Sequence, residues 1–124
     1  MYAIQNDIIW QSVNTNDWQH VEFYPTPNKR GMMEPTSIVI RHIDTVLGAQ
    51  AIAQYFQKPG VLLTGHLNID AQGIVTQNVE FIVSVNNAEI YINICQSAPD
   101  DILQELTDII KNKYNIKEIQ TFNE

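Results

Sequence analysis

Positive charge and cysteine are both scarce in this sequence. Five lysines and two arginines face fourteen carboxylates, for a formal net charge of −7. No basic cluster is present to displace counterions from a phosphate backbone, so nucleic acid is excluded as the expected partner. The single cysteine, Cys95, rules out an internal disulfide framework and a cysteine-only zinc knuckle. No apolar run approaches the ~20 residues of a membrane-spanning helix. Met1 to Trp10 lacks a basic region followed by an apolar stretch, so no signal peptide is visible and the cytoplasm is the expected location. A phosphate-cradling glycine loop, an HExxH helix and a GxSxG elbow are all missing. What is present is 124 residues, 44% of them hydrophobic. That is one domain over 1–124, well above the ~40 residues below which a core needs staples.

Local patterns supply the elements. Asn14 to Asp17 is polar and turn-forming, and Tyr24 to Pro35 carries three prolines and a glycine, which breaks regular structure. Ser37 to Asp44 predicts a strand with Val39, Arg41 and Ile43 on one face and Ile38, Ile40 and His42 on the other. Apolar residues on both faces place it inside a sheet. Thr45 is the expected N-cap of a helix through Leu47, Ala51, Ile52, Tyr55 and Phe56, stopped by Pro59-Gly60. Leu62 to Asp70 and Ile74 to Val79 predict a hairpin around Ala71-Gln72-Gly73. Phe81 to Val85 and Glu89 to Cys95 predict two more strands, the second half-buried by alternation of Ile90, Ile92 and Ile94 with Tyr91 and Asn93. Ser97, Pro99 and Asp100 start a second helix, with Ile102, Leu106, Ile109, Ile110 and Tyr114 as its buried stripe and Asn115 as a left-handed stop. Ile116 to Phe122 gives a last strand. The order predicts an α/β (α+β) domain, a mixed central β-sheet flanked by helices.

These stretches, in this order, resemble the zinc-dependent N-acetylmuramoyl-L-alanine amidases shared with phage lysozyme-amidases and peptidoglycan recognition proteins. The matching segments are Tyr24-Pro25-Thr26-Pro27-Asn28, Ser37-Ile38-Val39-Ile40, the helix ending Tyr55-Phe56, Gly65-His66-Leu67-Asn68-Ile69-Asp70, and Gly73-Ile74-Val75-Thr76-Gln77. The strand Ile90 to Cys95 and the helix Ile102 to Tyr114 complete the series. The resemblance implies an amidase-type fold and zinc held by two histidines and a cysteine or aspartate. It also implies that the first ligand directly follows the apolar strand, where this chain has Arg41. The second falls in a G-H-x-D pattern whose nearest match is Thr121-Phe122-Asn123-Glu124, with Phe122 in the histidine slot. The chain thus resembles a degenerate member lacking the zinc ligands, and no cofactor is expected.

Could His20, His42, His66 or Cys95 rebuild a metal site? His42 adjoins the ligand slot but points to the opposite face of its strand. A register slip to bring it in would turn over every neighbour. Arg41 adds a permanent cation where a metal would sit. The structural expectations are therefore a partly buried His42 bonded to Asp44 or backbone, an Arg41 paired with Asp44, Asp70 or Glu89, and Cys95 as a small core residue at a strand end. No metal ligands and no catalytic residues are assigned.

The expected function is that of a catalytically inactive amidase-like binding module, an accessory, regulatory or immunity-type protein with a protein partner linked to the cell envelope or a phage. The alternatives are an active peptidoglycan amidase with displaced zinc ligands and a muropeptide-binding protein. For the last, Arg41, His42, His66 and the loop Pro25 to Arg30, including Asn28 and Arg30, would line the old groove, Arg41 meeting a peptide carboxylate bidentately. Exposed strand edges make a second copy of the chain a further candidate partner, and envelope association is the alternative to the cytoplasm.

Overall fold

The computed structural model describes residues 1–14 and 16–123, so Thr15 in the first turn and Glu124 in the last motif lie outside the described residues. Two sheets carry the chain. Strands β1 (Tyr2–Gln5), β2 (Ile8–Ser12) and β3 (Trp18–His20) form an antiparallel three-stranded sheet. The central sheet has six strands in the order β4 (Glu22–Phe23), β7 (Val75–Gln77), β6 (Leu67–Ile69), β8 (Glu89–Ile94), β5 (Ser37–His42) and β9 (Glu118–Asn123). It is mixed: β6 and β7 pair antiparallel, and the remaining neighbours run parallel. The helices are α1 (Ala49–Tyr55) and α2 (Asp100–Tyr114). The mixed α+β architecture is the one the sequence predicts.

The two faces of the central sheet differ in chemistry. One is apolar: Ile38 and Ile40 of β5, Ile90 and Ile92 of β8 and Leu67 and Ile69 of β6 share a core with Leu106 and Ile110 of α2 and Ile9 of the smaller sheet. Burial of such side chains contributes ~1.5–3 kcal/mol each. The other face is amide-rich. Asn68 Nδ2 donates to Thr76 Oγ1 at 3.2 Å and to Asn78 Oδ1 at 2.8 Å. Thr76 Oγ1 then donates to the Ala49 carbonyl and Asn78 Nδ2 to that of Ala53, docking α1 by hydrogen bonds. Gln77 joins the two sheets: its Oε1 accepts from Ile9 N–H at 2.9 Å, and its Nε2 donates to the carbonyls of Asp7 and Val79.

Several local expectations change in the folded chain. Helix α1 begins after Gly48, not at Thr45, whose hydroxyl instead accepts from Leu47 N–H. The cap comes from far away: Asp70 Oδ2 accepts from Ala49 N–H at 2.8 Å. The predicted strand from Leu62 shrinks to Leu67–Ile69, because Leu63 takes a left-handed backbone with φ 67°. Phe81 to Val85 is not a strand and keeps only a bridge from Val83 to Met32. There Val83 N–H closes a turn onto Glu80, and Phe81 is wholly buried. Strand β8 is buried on both faces, not half-buried, with Asn93 at 0% exposure. Pro99 is the N-cap of α2, which carries Asp100 and Asp101 in its first turn and ends at a left-handed Asn115, as the sequence predicts. The first 23 residues, where hydropathy assigns no element, supply four short strands. Among the described residues no helix is long and apolar enough to cross a membrane.

Candidate functional site

Alternation along β5 puts Arg41 on the amide-rich face, opposite Asn93 of β8 and beside Tyr91. Its guanidinium lies over the Tyr91 ring, 4.0 Å from the centroid, a cation–π contact. Nη2 reaches the Thr64 carbonyl at 3.5 Å. The Tyr91 hydroxyl donates to Glu89 Oε1 at 2.7 Å. Burial, and then that carboxylate, raise the tyrosine pKa above its ordinary value. Asp44 is engaged with Gln96 Nε2, and Asp70 with backbone amides. Arg41 is 9% exposed, yet it faces a cavity of about 690 Å³.

The opposite wall is the loop after β4. Asn28 fixes it: Nδ2 donates to the carbonyls of Phe56 and Lys58, and Oδ1 accepts from Gly60 N–H at 2.7 Å. Arg30 N–H donates to the Ser84 carbonyl. The loop so held brings Lys29 and Arg30 to the cavity that Arg41 faces. Three of the chain's seven lysines and arginines line this one space, and no aspartate or glutamate stands among its described lining residues. In a protein of net charge −7, this is a local positive field suited to an anionic group.

The candidate residues from the sequence divide here. Arg41, Arg30 and Asn28 converge on the cavity, but the Asn28 amide is occupied in holding the loop. His42 is exposed, not partly buried, and lines a separate cavity with Asp44, Gln96 and Asp100. His66 does not line a groove at all. It is 0% exposed, with Nδ1 accepting from Tyr91 N–H at 3.0 Å and Nε2 donating to the Val83 carbonyl at 2.7 Å. Tyr91 and the apolar pair Leu62-Leu63 join the cavity lining unannounced. The local signal for the pair is the apolar run Val61-Leu62-Leu63 after Pro59-Gly60, a pattern that also predicts a strand.

The residues present do not fit a catalytic zinc ion, which takes three converging protein ligands and one open position. Both ring nitrogens of His66 are used. His20 belongs to the smaller sheet, its Nδ1 against the Val21 carbonyl. Cys95 packs with Ile52 and Phe56, and burial pushes its thiol pKa up to about 11, away from the thiolate a metal needs. Among the described residues no three histidine, cysteine, aspartate or glutamate side chains are grouped to hold a metal. Arg41 and Phe122 are register partners on β5 and β9, so the two slots that the resemblance assigns to ligands are neighbours on one face.

No family model matches the chain, and no curated protein sequence matches it at a significant level. Its backbone does match solved structures. The catalytic domain of XlyA superposes with a TM-score of 0.68 at 20% identity, covering 81% of this chain and 82% of that one. A mutant endolysin from Bacillus subtilis gives 0.64 at 19% identity, over 80% and 83% of the two chains. The endolysin N-acetylmuramoyl-L-alanine amidase LysCS from Clostridium intestinale URNW gives 0.60 at 18%, over 81% and 80%. With its central mixed sheet and two helices, the chain has the fold of these endolysin domains.

Proposed function

We propose that this chain is a catalytically silent domain of amidase fold that acts by binding, with a protein partner tied to the cell envelope or to a phage. The observation that carries this reading is the basic cavity at the end of β5, where Arg41, Arg30 and Lys29 gather. A cavity lined by three cations opposes a divalent metal and favours an anionic group, reversing the electrostatics that a zinc hydrolase needs. The fold shared with endolysin domains supports the link to peptidoglycan.

The test measures metal content of the purified protein together with hydrolysis of a muramoyl-L-alanine peptide. The expected result is substoichiometric zinc and no released peptide. One equivalent of zinc, with a hydrolytic activity that chelation abolishes and His42→Ala reduces, would establish a working amidase and overturn the proposal. Sedimentation on purified sacculi separates the ligands: enrichment there would replace the protein partner with a muropeptide.

A further inference from the structure

The basic cavity shares a wall with a second one. Residues 60–63 border both, and the far side is a groove of about 530 Å³ lined by Ile43, Leu47, Ile52, Tyr55 and Phe56. No charged residue stands among the described residues of that groove. Leu47 and Tyr55 are more than half exposed, and Leu62 on the shared wall is 84% exposed. Isolated surface leucines need no explanation, but apolar side chains gathered around one groove mark an interaction surface.

The wall is a held ridge. Leu63 has the left-handed φ of 67°, uncommon for a residue with a side chain. Its carbonyl accepts from Asn93 Nδ2 at 3.0 Å. Two residues on, Gly65 lies so close to β8 that a Cβ there would stand 2.8 Å from Asn93 Nδ2 and 3.2 Å from the Tyr91 carbonyl. The fold therefore tolerates an unfavourable leucine backbone and keeps an exposed leucine between a cationic cavity and an apolar groove.

We infer that the two cavities form one docking surface for an extended segment of a partner protein in which an acidic side chain lies close to several apolar ones. The apolar side chains occupy the groove beside α1, and the carboxylate crosses the ridge to Lys29 and Arg30, the exposed cations of the basic cavity. Charge selects this occupant. An acidic segment meets the local concentration of cations, whereas a second copy of this chain brings a net charge of −7 against −7. Side chains along an extended segment advance ~3.3 Å per residue, so a short stretch can straddle the ridge. The inference rests on the reading that this domain binds instead of cleaving.

The experiment selects random displayed dodecapeptides on the full chain. The consensus peptide, fluorescently labelled, is then titrated against wild type, Leu62→Ser and the double variant Lys29→Glu/Arg30→Glu. All three substituted residues are exposed, and thermal melts confirm that both variants fold. The expected consensus pairs Asp or Glu with neighbouring Leu, Ile or Phe, and its affinity falls at least about tenfold in each variant. Failure of any sequence to enrich, a consensus without an acidic residue, or loss in only one variant or in neither would overturn the joined surface. Hydrolysis of the muramoyl peptide alongside a successful selection would sink the non-catalytic reading alone. An inactive protein with a failed selection would sink this inference alone.

Discussion

The backbone N–H of Tyr91 donates to Nδ1 of His66 at 3.0 Å, and this one bond sets the state of an imidazole that is fully buried. With Nδ1 accepting, the ring proton sits on Nε2 and is donated to the Val83 carbonyl at 2.7 Å. The ring stacks against both Phe81 and Tyr91, at interplanar angles of 22° and 13°. A neutral imidazole is therefore part of the sheet's hydrogen bonding, and protonation would break the bond from Tyr91.

The fold should lose stability as acid protonates this histidine in the unfolded chain. Burial, with Arg41 adding to it, lowers the His66 pKa from 6.5 to about 4. Between those values the unfolded state binds a proton that the native state refuses. Stability is thus fully present above pH ~6.5 and declines as pH falls toward ~4, by up to about 3 kcal/mol. Urea unfolding across this window should show the decline in wild type and a shallower one in His66→Gln, which retains a donor and an acceptor but does not titrate. Equal slopes would contradict the buried neutral assignment.

Asn28 is expected to matter for the loop more than for any ligand. Asn28→Ala removes the donors to Phe56 and Lys58 and the acceptor for Gly60 N–H. The loss should be about 2–3 kcal/mol, since the bonds lie partly in solvent. Amide exchange at Gly60 should accelerate in step. A variant as stable as wild type, with unchanged exchange there, would show that the loop is held some other way.

Asp70 couples a helix to a hairpin. One carboxylate oxygen accepts from Ala49 N–H at the start of α1, and the other accepts from Gln72 and Ile74 N–H across the turn. Asp70→Ala leaves all three donors short of a partner and should cost about 2–4 kcal/mol, while Asp70→Asn, which keeps one acceptor oxygen, should cost less. Denaturant midpoints for the pair decide the point. A ranking in which asparagine is the worse substitution would contradict this hydrogen-bond arrangement.

Local pattern by itself determined the elements whose causes are local. Alternation fixed β5 and the inward apolar set of β8, the spacing of Ile102, Leu106 and Ile110 fixed α2, and Asn115 ended it, because periodicity and capping act within a few residues. The hairpin was legible for the same reason: Gly73 supplies φ 80° at the turn. Tertiary structure decided the rest. Strands β1 to β3 are short, and their order depends on Gln77 and on the edge of α2, where Glu105 accepts from Tyr2 N–H. Asp70 rather than Thr45 caps α1 because a carboxylate 21 residues away reaches the helix only after the sheet has formed. The imidazole of His66 lost its place in the groove once β8 closed over it. Lys29, Arg30, Arg41 and Leu62 became neighbours only through parallel pairing of β5 with β8 and the clip made by Asn28. A site assembled from segments distant in sequence leaves no period along the chain, so its charge and its apolar flank exist only in the folded molecule.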